Sequence, residues 1–380
     1  MKVHSMEMNT LELTRQLIAR PSVSPEDAGC LELVIAELKP LGFECEIIAA
    51  NGTTNLWARL GRAAPLICFA GHTDVVPTGP LENWNIDPFT PTIKDGILYG
   101  RGASDMKTSI AAFVVAIREF VRANEDHPGS IAVMFTSDEE GPALDGTVKV
   151  VEALAKRGEK LDYCIVGEPT SVKQFGDMIK NGRRGSLTGI LTVQGVQGHV
   201  AYPHRADNPV HRLIRAVSAL TAAPVDAGTD WFEPSSLQIT SMDVGNTATN
   251  VIPASARAAL NIRFNDKHSG KSLTEWVRAT VAQHAERFDL ESSTSGESFV
   301  TKPGPLVDIL RGAIVDATGV EPKLDTGGGT SDARFIANYC PVAEFGLVGA
   351  TMHQTDERVP VAEMRDLARI YRGVIASFLA

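Results

Sequence analysis

Apolar and polar positions change their period along this chain, and the changes divide it into elements. Helical spacing runs through LELTRQLIAR at 11–20, behind Asn9-Thr10 as a cap, and through CLELVIAELKPLG, which stops at Pro40 and Gly42. Four apolar runs of strand length follow: FECEIIA (43–49), PLICFAG (65–71), SIAVMFTS (130–137) and LDYCIVG (161–167). Helical segments at about 104–122 and 145–157 lie between them. Such alternation predicts an α/β domain, a mostly parallel sheet covered by helices on both faces.

The texture shifts near residue 183. Gly182-Arg183-Arg184-Gly185 leads into the half-alternating strand SLTGILTVQG and a helix at about 208–221. Two more strands, SLQITSMDVG and ASARAALNIRF, precede an amphipathic helix at about 272–287. These elements predict an inserted α+β domain over 185–297, an antiparallel sheet backed by two helices. A helix at 305–318, the loop Gly327-Gly328-Gly329-Thr330, the strand PVAEFGL and a helix at 361–379 then return to the first domain. That first domain is expected to comprise 1–184 and 298–380.

The strand ends carry the chemistry. His72 and Asp74 stand in GHTDVVP, Asp105 in GRGASDMK, Glu139 and Glu140 in TSDEEG, and Glu168 in VGEPT. Asp74, Glu139, Glu140 and Glu168 each follow directly on an apolar strand, where open α/β sheets bind ligands. His199 in QGHVAYPH and His353 in ATMHQTDE complete a set of imidazoles and carboxylates that suits two zinc ions with a water between them.

Each residue has an ordinary explanation to beat. A HisXAsp pair occurs in many polar turns, but two residues apart on extended backbone the side chains share a side, so His72 reads as a ligand and Asp74 as the carboxylate orienting its ring. Asp105 alone reads as an acid at a helix start; opposite His72 it becomes the natural bridging ligand. Glu139 and Glu140 diverge, so one can bind metal while the other serves as a base, with crowding raising one pKa. Glu168 follows a buried-looking strand, where an acid needs a partner. His353 is the only histidine in its region. His199 follows a glycine-rich turn in the inserted block, and polarising a substrate carbonyl suits it better than ligation.

Composition narrows the partners. A formal charge of −10 and a pI near 5.4 argue against nucleic acid or an anionic membrane. The longest apolar stretches, such as IAAFVVAI at 110–117, are too short to span a bilayer. MKVHSMEMNT lacks an apolar signal core, and five dispersed cysteines without CxxC spacing suit reduced thiols, so a cytoplasmic protein is expected.

Together these motifs resemble metallopeptidase family M20, the zinc-dependent aminoacylase and carboxypeptidase superfamily. The resemblance runs from about residue 10 to the C-terminus. GHTDVVP, GRGASDMK and TSDEEG are common to the family, while GVQGHVAYPHRADNPVHR and GGGTSDARFI point to a narrower group. That likeness implies hydrolysis of a small dicarboxylic amino-acid amide, N-succinyl-LL-2,6-diaminopimelate, to succinate and LL-2,6-diaminopimelate. Other amide hydrolases of the family, an acetylornithine deacetylase or a dipeptidase, are the alternative.

Residue by residue, the likeness implies one zinc on His72 and Glu168, a second on Glu140 and His353, and Asp105 bridging them. Cobalt is implied as a possible substitute. Glu139 becomes the general base. Lys180, Arg183, Ser186, Tyr202, Asn250, Arg263, Gly329 and Thr330 match positions around the substrate's carboxylates and succinyl group. His199 and Asn250 are implied to reach the neighbouring subunit's active site, which makes the assembly a homodimer joined through the inserted block. Thr249, Gly349 and Gln354 stand where relatives usually carry Asn, Asn and Lys.

Overall fold

The computed structural model describes residues 2–379, in two compact units. Unit one comprises Met1–Asn181, Thr301–Asp325 and Ser331–Ala380; unit two comprises Gly182–Val300 and Thr326–Thr330. The second unit thus extends about three residues beyond the expected 185–297 at each end and takes in part of the glycine-rich loop.

In chain order, β1 (Glu44–Ala50), β2 (Thr53–Leu60), β3 (Leu66–His72), β4 (Ser130–Thr136), β5 (Tyr163–Val166) and β6 (Met178–Lys180) belong to unit one. Unit two holds β7 (Gly185–Gln194), β8 (Gly198–His199), β9 (Ser236–Asp243), β10 (Val251–Ile252), β11 (Ser255–Phe264) and β12 (Phe288–Gly296). The chain then adds β13 (Lys323–Asp325) and β14 (Val342–Glu344) to unit one.

The unit-one sheet runs β1-β2-β4-β3-β5-β14-β6-β13. Its centre, β4-β3-β5-β14, is parallel, and β1 and β2 are added antiparallel at one side. Alternate side chains of a strand face opposite sides. Ile67, Phe69, Ile131 and Val133 enter a core with helices α1 (Lys2–Ile18), α3 (Thr108–Ala123), α7 (Pro305–Thr318) and α9 (Val361–Phe378). The Phe113 and Tyr371 rings meet there at 4.2 Å, tilted by 37°, and the Tyr371 hydroxyl donates to the Phe345 carbonyl. Helix α3 is buried on nearly all sides from Thr108 to Ile117, as its run IAAFVVAI requires. Buried Val150, Val151 and Leu154 of α4 (Thr147–Lys156) lie outside that core, against β4, β2 and β1.

Unit two is an antiparallel sheet in the order β9-β11-β7-β12. Leu187, Leu191 and Val193 of β7 and Leu260, Ile262 and Phe264 of β11 pack on α5 (Pro209–Thr221) and α6 (Gly270–Ala282). Asn208 accepts the Val210 N–H to cap α5, with Pro209 in its first turn, and Ser269 caps α6 with Ser272. Edge strand β12 escapes the apolar pattern because Leu290 is its one buried residue. The two-stranded ribbon β8–β10 sets Gly198 opposite Ile252 and His199 opposite Val251.

All five cysteines are free, and Cys68 and Cys164 are fully buried on neighbouring strands. Among the described residues no helix is long and apolar enough to cross a membrane.

Candidate metal centre

Three parallel neighbours deliver the first groups. His72 is the last residue of β3, Glu139 and Glu140 follow β4 by three and four residues, and Glu168 lies two beyond β5. Strands β4 and β5 flank β3, so their carboxyl ends bring these side chains to one crevice. His353 comes from the loop before the C-terminal helix with a left-handed φ of 61°.

Asp105 departs from expectation. It does not sit in the apolar helix, which starts at Thr108, but in an irregular segment, Ala103–Lys107, where its own φ and ψ are non-helical. The next residue, Met106, is fully buried against two glycines. A Cβ at Gly71 would fall 2.3 Å from the Met106 methyl, and one at Gly167 would fall 2.6 Å from it. The glycines immediately before His72 and Glu168 thus make the seat that brings Asp105 up to both side chains.

The resulting geometry centres on Asp105. Its Oδ1 is 3.2 Å from His72 Nε2, and its Oδ2 is 3.1 Å from His353 Nε2. His353 Nε2 is also 3.0 Å from Glu140 Oε1, and His72 Nε2 is 3.7 Å from Glu168 Oε1. Two ligand atoms at bonds of about 2.0–2.2 Å on a tetrahedral ion stand about 3.4 Å apart, and these separations bracket that distance. Ligand atoms of His72, Asp105 and Glu140, and of His72, Glu139 and Glu168, each converge within 4.8 Å. Glu168 Oε1 is buried without a hydrogen-bond partner, so the protein supplies it with nothing that an ion would displace.

Electrostatics point the same way. Burial lowers the His72 pKa, yet the hydrogen bond to Asp105 and the charges of Glu168 and Asp105 carry it well above its usual value. Hydrogen bonds that His353 donates to Asp105 and Glu140 lift its pKa to about 10. Burial pushes Glu139 up to about 8 and raises Glu168 as well. Burial opposes ionisation of Asp105, but hydrogen bonds from His353 and His72 hold its carboxyl well below the usual range. Without a cation the cluster must collect protons; two divalent ions would meet the same demand, so the donor set fits them.

Asp74 takes a second part beside the one expected. His72 Nδ1 lies 2.9 Å from the Asp74 carbonyl oxygen and 3.7 Å from its carboxylate, an arrangement that leaves Nε2 facing the ligand cluster. The carboxylate instead accepts the backbone N–H of Glu139 (3.3 Å) and of Glu140 (3.1 Å). Sequence reasoning missed this because bonds to backbone carry no side-chain signature. It also missed Glu357, whose buried carboxylate holds the segment leading into Asp105; its position four residues beyond His353 was the available signal.

The remaining candidates fall into small groups. Lys180, in unit one, pairs with Asp325. In unit two, Arg183 donates to the Gly329 carbonyl at 3.2 Å, next to Thr330. Ser186 sits opposite Arg263 in register, and Arg263 Nε donates to Asn261. His199 lies on the ribbon, with exposed Tyr202 and Asn250 next to it: the rings of His199 and Tyr202 are 5.8 Å apart, and Val200 donates to the Asn250 carbonyl.

A family model described as peptidase family M20/M25/M40 matches residues 68–377. Succinyl-diaminopimelate desuccinylase of Caulobacter vibrioides (strain NA1000 / CB15N) is 55% identical over 380 residues, 99% of this chain and 97% of that protein. The protein of the same name from Gluconacetobacter diazotrophicus is 55% identical over 369 residues, with 96% of each chain covered. The fold resembles the M20 family metallo-carboxypeptidase Sso-CP2 from Sulfolobus solfataricus, with a TM-score of 0.80, 16% identity and coverage of 97% of this chain and 99% of that one.

Proposed function

The chain belongs to peptidase family M20/M25/M40, and from that membership we propose that it is a two-metal desuccinylase. It hydrolyses the succinyl amide of N-succinyl-LL-2,6-diaminopimelate to succinate and LL-2,6-diaminopimelate, a step of diaminopimelate and lysine biosynthesis. The observation that carries the reading is Asp105, with one oxygen toward His72 and the other toward His353. His72 and Glu168 would hold one ion, Glu140 and His353 the other, and Asp105 both. Zinc is the ion proposed, with cobalt as a substitute, because imidazole and carboxylate suit both. Five free thiols suit a reducing, cytoplasmic setting.

Ions held there supply Lewis acidity toward the amide carbonyl and lower the pKa of water. The rest of the chemistry belongs to side chains. Glu139 lies beside His72 and Glu168 without the close pairing to His353 that Glu140 has, so it is the base. It takes a proton from the attacking water and returns it to the amine nitrogen, without which the amine leaves poorly. Asp74 holds Glu139 in place through its backbone N–H.

Substrate recognition is assigned to Lys180, Arg183, Ser186, Tyr202, Asn250, Arg263, Gly329 and Thr330, with guanidinium groups suited to carboxylates. His199 is assigned to the developing oxyanion in the active site of a second copy, which makes the working form a homodimer through unit two. The support for this pairing is that His199, Tyr202 and Asn250 are all exposed, at or next to one ribbon of unit two.

Two substitutions test the reading. Glu139→Gln should retain metal and fold while losing about a hundredfold to ten-thousandfold in turnover, whereas Glu140→Gln should lose metal. Exchanged phenotypes would reverse the two roles. Faster turnover of N-acetylornithine or a dipeptide than of the succinyl substrate would replace the proposed specificity by another member activity of the family.

A further inference from the structure

Glu357 is fully buried, and the chemistry above makes no use of it. Its Oε1 accepts the backbone N–H groups of Ser104 (2.7 Å) and Asp105 (3.0 Å), and its Oε2 accepts Gly102 N–H (3.0 Å) and Arg101 Nη1 (2.9 Å). The Glu357 carbonyl accepts Gly100 N–H at 2.9 Å, and Arg101 also donates to the Gln354 carbonyl at 3.2 Å. Gly102 has a left-handed φ of 85°, which turns successive amides inward as in other anion-binding backbone nests. One carboxylate therefore gathers the segment that ends in Asp105 and ties it to the segment that began four residues earlier with His353.

We propose that Glu357 is a positioning residue for the metal centre, fixing the separation of Asp105 and His353 before any ion binds. The inference rests on the reading that these two residues hold metal. Its physical basis is that Ala103–Lys107 lacks regular helical bonding at Ser104 and Asp105. Deprived of the carboxylate, two buried amides would have to find other acceptors, and the backbone of Asp105 would move with them. Metal bonds tolerate errors of only about 0.2 Å, so a displacement too small to unfold the protein still loosens the site. Aspartate is one methylene short of bridging both segments. Glutamine keeps the reach but turns an NH2 group toward amides that need an acceptor.

The test is zinc affinity of the full chain by chelator competition, at a temperature where circular dichroism shows wild type and Glu357→Gln both folded. Weakening by about 10–100-fold is expected, the range for losing a residue that orients metal ligands. Turnover should recover in part as zinc is raised, with KM little changed. Because Glu357 acts through Asp105, which is assigned to both ions, Glu357→Gln should weaken both sites, whereas His353→Ala should weaken mainly one. A lower melting temperature with zinc affinity within twofold of wild type would overturn the proposal, since that is what a merely structural residue would give. If Glu357→Gln does not fold, hydrogen exchange of the metal-free wild type decides. The amides of Gly102, Ser104 and Asp105 should then be protected, and free exchange at Ser104 and Asp105 would overturn the proposal. A wild type that binds no zinc would remove the metal reading itself; zinc-binding wild type with an unaffected variant removes only this step.

Discussion

Replacing Asp74 by asparagine separates the two tasks that the structure gives this residue. Asp74 has no exposed surface, and its two carboxylate oxygens accept the N–H groups of Glu139 and Glu140 while its backbone carbonyl meets His72 Nδ1. Asparagine leaves the carbonyl contact in place, so His72 should keep its orientation. It offers only one side-chain acceptor, so one of the two amides faces an NH2 group instead. Burial raises the Asp74 carboxyl pKa, which means the fold does not favour its charge; the loss is therefore counted as one unsatisfied buried donor, about 1–3 kcal/mol. For a unit of about 250 residues each kcal/mol moves the melting temperature by about 2–4 °C. A fall of about 5 °C in the metal-free protein is expected, with turnover reduced about 10–100-fold as the Glu139–Glu140 segment shifts. Zinc affinity at the His72 side should change less than turnover. Asp74→Ala, which strands both amides, should be worse on both counts. The measurements are thermal unfolding of metal-free protein and turnover at saturating zinc. An Asp74→Asn protein with unchanged melting temperature and full turnover would refute the reasoning, as would one that loses zinc yet turns over normally per bound ion.

Two further outcomes follow from the site and the ribbon. In metal-free protein, His353 titrates at about 10 and Glu139 at about 8, both raised, so the folded state holds protons that the unfolded chain has released. Their contribution is complete below the ordinary values of 4.5 for Glu139 and 6.5 for His353 and is lost as pH climbs through the raised ones. The metal-free melting temperature should therefore fall from about pH 6.5 to 9, and the increment given by zinc should grow, because ligands must be deprotonated to bind; a metal-free melting temperature that rises across this window would contradict the crowding. His199→Ala should bind zinc normally and lose about 2–4 kcal/mol of transition-state stabilisation, and mixing it with Glu139→Gln under proven subunit exchange should restore part of the activity. Absence of any recovery would place His199 in its own chain's reaction or in none.

The parts of this molecule that were legible in its sequence are those where burial forces a pattern. The runs ending at His72, Thr136 and Val166 are continuously apolar because β3, β4 and β5 are covered on both faces, and polar residues directly after them stand out. Edge strand β12 left no such trace, since FDLESSTSG buries only Leu290. The apolar spacing predicts a helix from about 104, whereas α3 starts at Thr108, because the segment around Asp105 is as buried as the helix itself, from Ala103 through Lys107. Periodicity reports burial, and it cannot distinguish a buried helix from a buried irregular turn. The second task of Asp74 and the whole of Glu357 were hidden for a different reason: both act on backbone N–H groups, which every residue but proline presents alike.

The same distinction accounts for how the site is built. His72, Glu139, Glu140 and Glu168 issue from three hydrogen-bonded neighbours, and the parallel register of β4, β3 and β5 sets their spacing without further help. Asp105 and His353 arrive on loops with no such register, one in irregular backbone and the other at positive φ. Loops hold a position only where their own polar groups are satisfied in one arrangement. Met106 seated against Gly71 and Gly167 provides the packing half of that constraint. Glu357, joining the backbone of residues 102–105 to the segment after His353, provides the polar half. In the proposed role Asp105 would have to satisfy two ions at once, so of the candidate ligands it would tolerate error least.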